Sequence, residues 1–106
     1  MERATGPVRE FIQVDPRQLR LPPGRVDGAD PAKLARQISR HGKSIDGLPP
    51  PLVIRGKDGQ LQLVDGVTRS TRVGKLLPGQ SITVEVIETR PKLDLSRYPT
   101  VGEKLP

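Results

Sequence analysis

The chain has 106 residues, of which 33% are hydrophobic, and it contains 12 prolines and 11 glycines. This length supports one domain with a modest core, and the many prolines and glycines predict several irregular segments. The sequence has no cysteine, which excludes disulfides, thiol catalysis and cysteine-ligated metals. No apolar run approaches the roughly 18 residues that a membrane span requires.

The formal net charge of +6 favours anionic partners such as nucleic acid, a nucleotide or an acidic protein. A solvated basic surface would account for the same charge, so charge alone does not separate these alternatives. Phe11 and Tyr98 are the only aromatic residues, which leaves little on which bases could stack. Contacts to phosphates are therefore expected in preference to base readout.

The first half of the chain predicts a strand, a loop and a helix. The apolar residues of 11–14 are followed by Asp-Pro and indicate a strand, and the Pro- and Gly-rich stretch 16–29 indicates a loop. Asp30 is a favourable N-cap and Pro31 suits the first helical position. This helix is expected to end near His41.

The second half predicts a hairpin, a helix and a final strand. After a loop over 42–51, residues 52–54 and 61–63 form two short strands that a Lys-Asp-Gly turn joins. The spacing of apolar residues predicts a helix over about 66–77 that stops at Pro-Gly. Alternation over 82–86 predicts the last strand.

Together these elements predict an α+β domain over residues 10–88, with a mixed sheet of about four strands and two main helices. Residues 1–9 are expected to form a flexible N-terminus. Residues 89–106 show no clear period and are expected to form an extended C-terminal tail.

The segment from Leu63 to Arg72 carries the clearest chemical signal, because an apolar strand runs there into a basic helix. Gly66 permits a sharp turn, and the hydroxyls of Thr68 and Ser70 lie where a helix exposes free amide N–H groups. Such a turn is suited to holding a phosphate.

Two arginines, Arg69 and Arg72, lie three residues apart near the start of this helix and oppose the positive end of its dipole. This local cost favours a bound anion over the alternative of a surface carboxylate partner. Lys33 lies in the first turn of the first helix and would join the same site if both helix N-termini face one side of the sheet.

Asp65 directly precedes the turn and has two open interpretations. It caps the second helix, or it acts as a general base or a Mg²⁺ ligand beside a bound phosphate.

The order of the elements, together with three segments, resembles the ParB/sulfiredoxin fold across about residues 10–88. The segments are Asp30-Pro31-Ala32-Lys33-Leu34, Gly47-Leu48-Pro49-Pro50-Pro51-Leu52-Val53-Ile54 and Leu63-Val64-Asp65-Gly66-Val67-Thr68-Arg69. The last resembles the Gly-x-x-Arg turn of ParB-type domains, which Val-Asp often precedes.

This resemblance implies a phosphate site made by Lys33, Gly66 and Arg69, with Asp65 as an acid/base candidate. Val67 stands where sulfiredoxins carry their catalytic cysteine, so sulfinic-acid reduction is excluded. Partition proteins of the family usually carry Glu-Arg-Arg after the glycine, a sequence that this chain lacks, so a CTP switch is not expected.

The resemblance implies a stand-alone ParB-like domain that hydrolyses ATP or cleaves DNA, of the kind found as the C-terminal toxin module of secreted bacterial effectors. Arg69 and Lys33 would hold the phosphate, Arg72 would neutralise developing charge, and Asp65 would orient water or Mg²⁺. Thr68 and Ser70 would add hydroxyl donors.

The implied partners are a nucleotide with Mg²⁺, or DNA, and an acidic immunity protein if the domain is a toxin. Such a domain would act in the bacterial cytoplasm or be delivered into a target cell. The alternative is a non-catalytic basic module that binds DNA or a protein partner.

Overall fold

The fold is a four-stranded mixed sheet with two α-helices, seen in a computed structural model that describes residues 9–106. The elements in chain order are β1 (Glu10–Val14), α1 (Pro31–His41), β2 (Leu52–Arg55), β3 (Leu61–Asp65), α2 (Val67–Leu76) and β4 (Ile82–Thr89). The expected α+β class, strand number and helix number are confirmed. The expectation of a flexible N-terminus falls on residues 1–9, of which only Arg9 is described.

The strands lie in the order β1-β4-β2-β3. β4 pairs antiparallel with β1 and parallel with β2, and β2 and β3 form the predicted antiparallel hairpin. The central strand β4 buries Ile82, Val84 and Val86, and the intervening residues Thr83 and Glu85 are only partly exposed. This period-two alternation is the pattern expected of a strand with one face towards a core.

The two helices begin in different ways. Before α1, the Asp30 carboxylate accepts a hydrogen bond from the Ala32 amide at 2.9 Å, as predicted for an N-cap. Gly42 then ends the helix with a positive φ of 54°. Before α2, the cap residue is Gly66, which has no side chain that could accept a bond from the first turn. No helix in the described residues is long and apolar enough to cross a membrane.

The core includes two leucines from the segment expected to be a loop. Leu19 and Leu21 are fully buried, and Arg20 between them pairs with β3 through bonds to Leu61 and Leu63 at 2.8 and 2.9 Å. The remaining members of the main core cluster come from the strands, from α2 and from the C-terminal segment: Val53, Leu61, Leu63, Val73, Ile82, Val84, Val86 and Val101. The segment around Arg20 therefore adds a short strand-like pairing at the β3 edge of the sheet.

The C-terminal segment, expected to be an extended tail, packs against the domain instead. Leu95 is fully buried and Val101 nearly so, and the Val101 amide bonds to the carbonyl of Leu19 at 2.8 Å. Near its start, the Leu93 carbonyl accepts a bond from the Lys57 amide at 2.7 Å. The apolar residues of this segment are irregularly spaced, so no periodic pattern predicts their burial. The domain therefore extends beyond residue 88.

Candidate anion-binding site

A cleft of about 230 Å³ opens where β3 runs into α2. Residues from the end of β3, the start of α2, the first two turns of α1 and the loop before α1 line it: Pro22, Arg25, Lys33, Gln37, Val64, Asp65, Gly66, Val67, Thr68 and Arg69. It brings together five of the predicted site residues, which are Lys33, Asp65, Gly66, Thr68 and Arg69. We call it the first cleft.

A β-bulge shapes the floor of the first cleft. Leu52 pairs with Asp65, whereas the next residue of β2, Val53, pairs with Leu63, so Val64 is an extra residue in β3. Val64 and Asp65 are both exposed, although neighbouring residues of a regular strand face opposite sides. The bulge thus directs the Asp65 carboxylate towards the cleft.

Gly66 joins β3 to α2 in a conformation that only glycine adopts without strain. Its φ is 101°, and a Cβ atom at this position would lie 2.6 Å from the Cβ of Pro51. The absence of a side chain lets α2 start one residue after the strand ends. The first turn of α2 therefore lines the cleft directly.

The N-terminus of α2 faces the cleft without a side-chain cap. Asp65 does not cap it: its Oδ2 instead lies 3.6 Å from Nη2 of Arg69, one turn along the helix. Uncapped N–H groups at a helix start carry partial positive charge and favour anions. Because Gly66 is the cap residue, the interpretation of Asp65 as the cap of α2 is wrong.

Three cationic side chains surround this helix start. Arg25 comes from the loop before α1, Lys33 from α1 and Arg69 from α2, whereas Asp65 is the only carboxylate in the lining. Among the described residues, Arg25 and Lys33 have no carboxylate within salt-bridge distance. The cleft therefore has an excess of positive charge that suits an anionic ligand.

Arg69 also has an incomplete set of hydrogen bonds. Its Nε is buried and has no acceptor among the described residues. A buried donor without an acceptor costs about 1–3 kcal/mol. The oxygen of an anion bound beside this guanidinium would offset that cost.

Arg72 lies outside the first cleft and has a structural role. Its side chain is buried, and its Nη1 donates to the carbonyls of Gly42 and Ser44, both at 2.8 Å. Burial lowers the pKa of Arg72. The guanidinium holds the loop that follows α1, which argues against its predicted role of neutralising charge on a substrate.

Ser70 does not reach the first cleft either. It is fully buried, and its hydroxyl has no partner among the described residues. Ser70 and Arg72 both point inward because the middle of α2 packs against the core. The spacing of these two residues in the sequence does not predict that packing.

The side-chain oxygens that the cleft offers to a metal are the Asp65 carboxylate, the Thr68 hydroxyl and the Gln37 amide oxygen. Within residues 9–106 there is no group of three or more His, Cys, Asp or Glu side chains that could hold a metal ion. Mg²⁺ accepts one or two protein carboxylates when substrate phosphates and waters complete its shell. These residues fit a Mg²⁺ ion that arrives with a phosphate ligand.

A second cleft, of about 200 Å³, lies beside the first and shares Lys33, Gln37 and Thr68 with it. Arg36 and Arg40 complete its lining. Sequence reasoning did not identify these two arginines as site residues. It also missed Arg25, because nothing in the Pro- and Gly-rich loop indicated where that side chain would lie.

A scan of protein-family models found no match, and a search of curated proteins also found none.

Proposed function

We propose that the domain binds a phosphate group of a nucleotide or of a nucleic acid in the first cleft. The observation that carries this proposal is the convergence of Arg25, Lys33 and Arg69 on the uncapped N-terminus of α2. Helix amides and cationic side chains together are a recurrent means of holding phosphate. The resemblance of the Gly66–Arg69 turn to ParB-type domains supports the same ligand.

In the proposed complex, phosphate oxygens accept bonds from the first amides of α2, and Thr68 adds a hydroxyl donor. Arg69 provides the charged contact, because its guanidinium already lies at the cleft and its Nε lacks an acceptor. Lys33 approaches from α1 as a flexible point charge. These contacts fix the phosphate without contacting a base.

We further propose that Asp65 makes the domain a hydrolase of ATP or of DNA. The carboxylate is largely exposed beside the phosphate position, where it could take a proton from an attacking water. A Mg²⁺ ion bound with the substrate would stabilise charge on the transferred group. Asp65 is the residue that would orient both the ion and the water.

A role as a toxin module belongs to this proposal and follows from the resemblance. An inhibitor of such a toxin would have to cover the basic first cleft. An acidic immunity protein has the complementary charge for that surface. The domain would then act either in the bacterial cytoplasm or in the cell into which it is delivered.

The second candidate function is a non-catalytic module that binds nucleic acid. The observation that favours it is the presence of one carboxylate in the cleft, since hydrolases of phosphate esters often use more. The two candidates share the phosphate site and differ in turnover.

The proposal is tested by titrating the purified chain with ATP, CTP and plasmid DNA, with and without Mg²⁺. Calorimetry reports binding, and phosphate release and gel migration report turnover. We expect Arg69→Ala to weaken ATP binding at least about tenfold, since a hydrogen bond to a charged group contributes about 1.5–3 kcal/mol. Lys92→Ala is the matched control, because it removes one exposed positive charge from outside the cleft.

Unchanged ATP and DNA binding in a folded Arg69→Ala variant would overturn the site assignment. Binding without turnover in the wild-type chain would select the non-catalytic candidate.

A further inference from the structure

The positive surface continues beyond the first cleft along α1. Lys33, Arg36 and Arg40 recur at intervals of three and four residues, which places them along one side of the helix. All three line the second cleft. At about 1.5 Å per residue, the row is roughly 10 Å long.

This row carries no compensating negative charge. α1 contains no Asp or Glu, and no carboxylate lines the second cleft. Among the residues that the structure describes, neither Arg36 nor Arg40 lies within salt-bridge distance of a carboxylate. Both arginines are exposed and therefore available to a ligand.

The two clefts form one continuous surface, because Lys33, Gln37 and Thr68 line both. A single phosphate in the first cleft leaves Arg36 and Arg40 without a partner. A ligand that satisfies the whole surface carries phosphates that reach from the first cleft to Arg40 at the far end of the row.

We propose that the second cleft binds the backbone of a nucleic-acid strand whose neighbouring phosphate lies in the first cleft. The inference rests on the proposed function and names its substrate class as a polynucleotide. In a B-form duplex each strand rises about 3.4 Å per nucleotide, so the row on α1 matches about three nucleotides.

Binding of this kind does not depend on base sequence. No aromatic side chain lines either cleft, so stacking, the usual means of holding unpaired bases, is absent from both linings. The contacts are ionic and release counterions on binding. The affinity should therefore fall steeply with salt and vary little between sequences.

The test measures fluorescence anisotropy of a labelled single-stranded oligonucleotide of about 12 nucleotides, a length within the usual range of site sizes. The probe is titrated with the whole chain at several salt concentrations, and ATP binding is measured by calorimetry. The variant is Arg36→Ala/Arg40→Ala, which preserves helix propensity at two exposed positions. The control is Lys92→Ala/Arg97→Ala, which removes two exposed charges elsewhere.

We expect the slope of log K against log salt to become less negative by about 1.4 in the α1 variant, from two lost contacts to a single strand. Its oligonucleotide affinity at low salt should fall at least about tenfold, and its ATP affinity should stay within twofold of wild type. The control variant should retain the wild-type slope.

An α1 variant with the wild-type slope and affinity overturns the second cleft as a backbone site. A wild-type chain that binds ATP but not the oligonucleotide also overturns the inference while leaving the proposed function intact. If Arg69→Ala loses both ligands and the α1 variant loses only the oligonucleotide, the result supports the proposed function and the further inference alike. Retention of ATP binding in Arg69→Ala counts against the proposed function itself.

Discussion

Asp65 and Arg69 face each other across the mouth of the first cleft, with Oδ2 of the carboxylate 3.6 Å from Nη2 of the guanidinium. One residue ends β3 and the other lies in the first turn of α2. At 3.6 Å the contact is an ion pair rather than a hydrogen bond. In the proposed complex the Asp65 carboxylate would weaken phosphate binding, because it shares the charge of Arg69 and repels an incoming anion.

Substitution of Asp65 separates its two effects. In Asp65→Asn the competing charge is lost, so without Mg²⁺ we expect ATP to bind up to about fivefold more tightly, in keeping with the roughly 0.2–1 kcal/mol of an exposed ion pair. If Asp65 orients the reacting water, phosphate release falls to background. Calorimetry and a phosphate-release assay on the same preparation measure both. Weaker binding would contradict the competition, and wild-type turnover would remove Asp65 from the mechanism.

The substitution Gly66→Ala, which adds one methyl group at the turn, should lower the free energy of unfolding substantially. Gly66→Ala must adopt a positive φ and also place its Cβ against Pro51, whereas Gly79→Ala has a positive φ of 84° with open space around it. We expect Gly79→Ala to cost about 1–2 kcal/mol from backbone strain. Gly66→Ala should cost about 1–3 kcal/mol more from overpacking, and it should also weaken ATP binding by shifting the start of α2. Urea denaturation measures the difference, and equal costs would contradict the close contact.

Removal of Arg72 should destabilise the fold. Arg72→Ala deletes a buried side chain together with two hydrogen bonds to the carbonyls of Gly42 and Ser44. We expect a loss of about 2–4 kcal/mol in the free energy of unfolding. Lys75→Ala, at an exposed position of the same helix, should change it by about 0.5 kcal/mol or less. A stable Arg72→Ala variant that loses turnover would restore the catalytic role.

Glu103 should contribute a pH-dependent part of the stability. Its carboxylate accepts bonds from the Thr100 amide at 2.9 Å and from the Thr100 hydroxyl at 3.1 Å, which lowers the pKa of Glu103. A lowered pKa means that this stabilisation is present above the ordinary glutamate value of about 4.3 and disappears as the pH falls through the folded value. The difference in Tm between wild type and Glu103→Gln should therefore shrink as the pH falls below about 4. A constant difference would show that the charge on Glu103 is not involved.

Local signals in the sequence predicted the elements well, and non-local packing accounts for what they missed. Asp30 predicted the start of α1 correctly, because an N-cap hydrogen-bonds to an amide only two residues along the chain. Leu19 and Leu95 are buried by contacts with distant parts of the chain, which no periodic pattern records. The same holds for the site. The local sequence predicted the turn at Gly66, whereas the burial of Arg72 depends on how α2 packs against the rest of the fold.

The packing of Leu19 and Val101 into one core has a consequence for folding kinetics. Arg20 donates to the carbonyl of Tyr98, 78 positions away, and β1 pairs with β4 near the opposite end of the chain. Closing such long loops costs entropy before the contacts form, so proteins with many distant contacts fold slowly for their size. This domain should fold on the millisecond-to-second scale that such topologies show. Synthesis must also reach Val101 before the core around Leu19 can close.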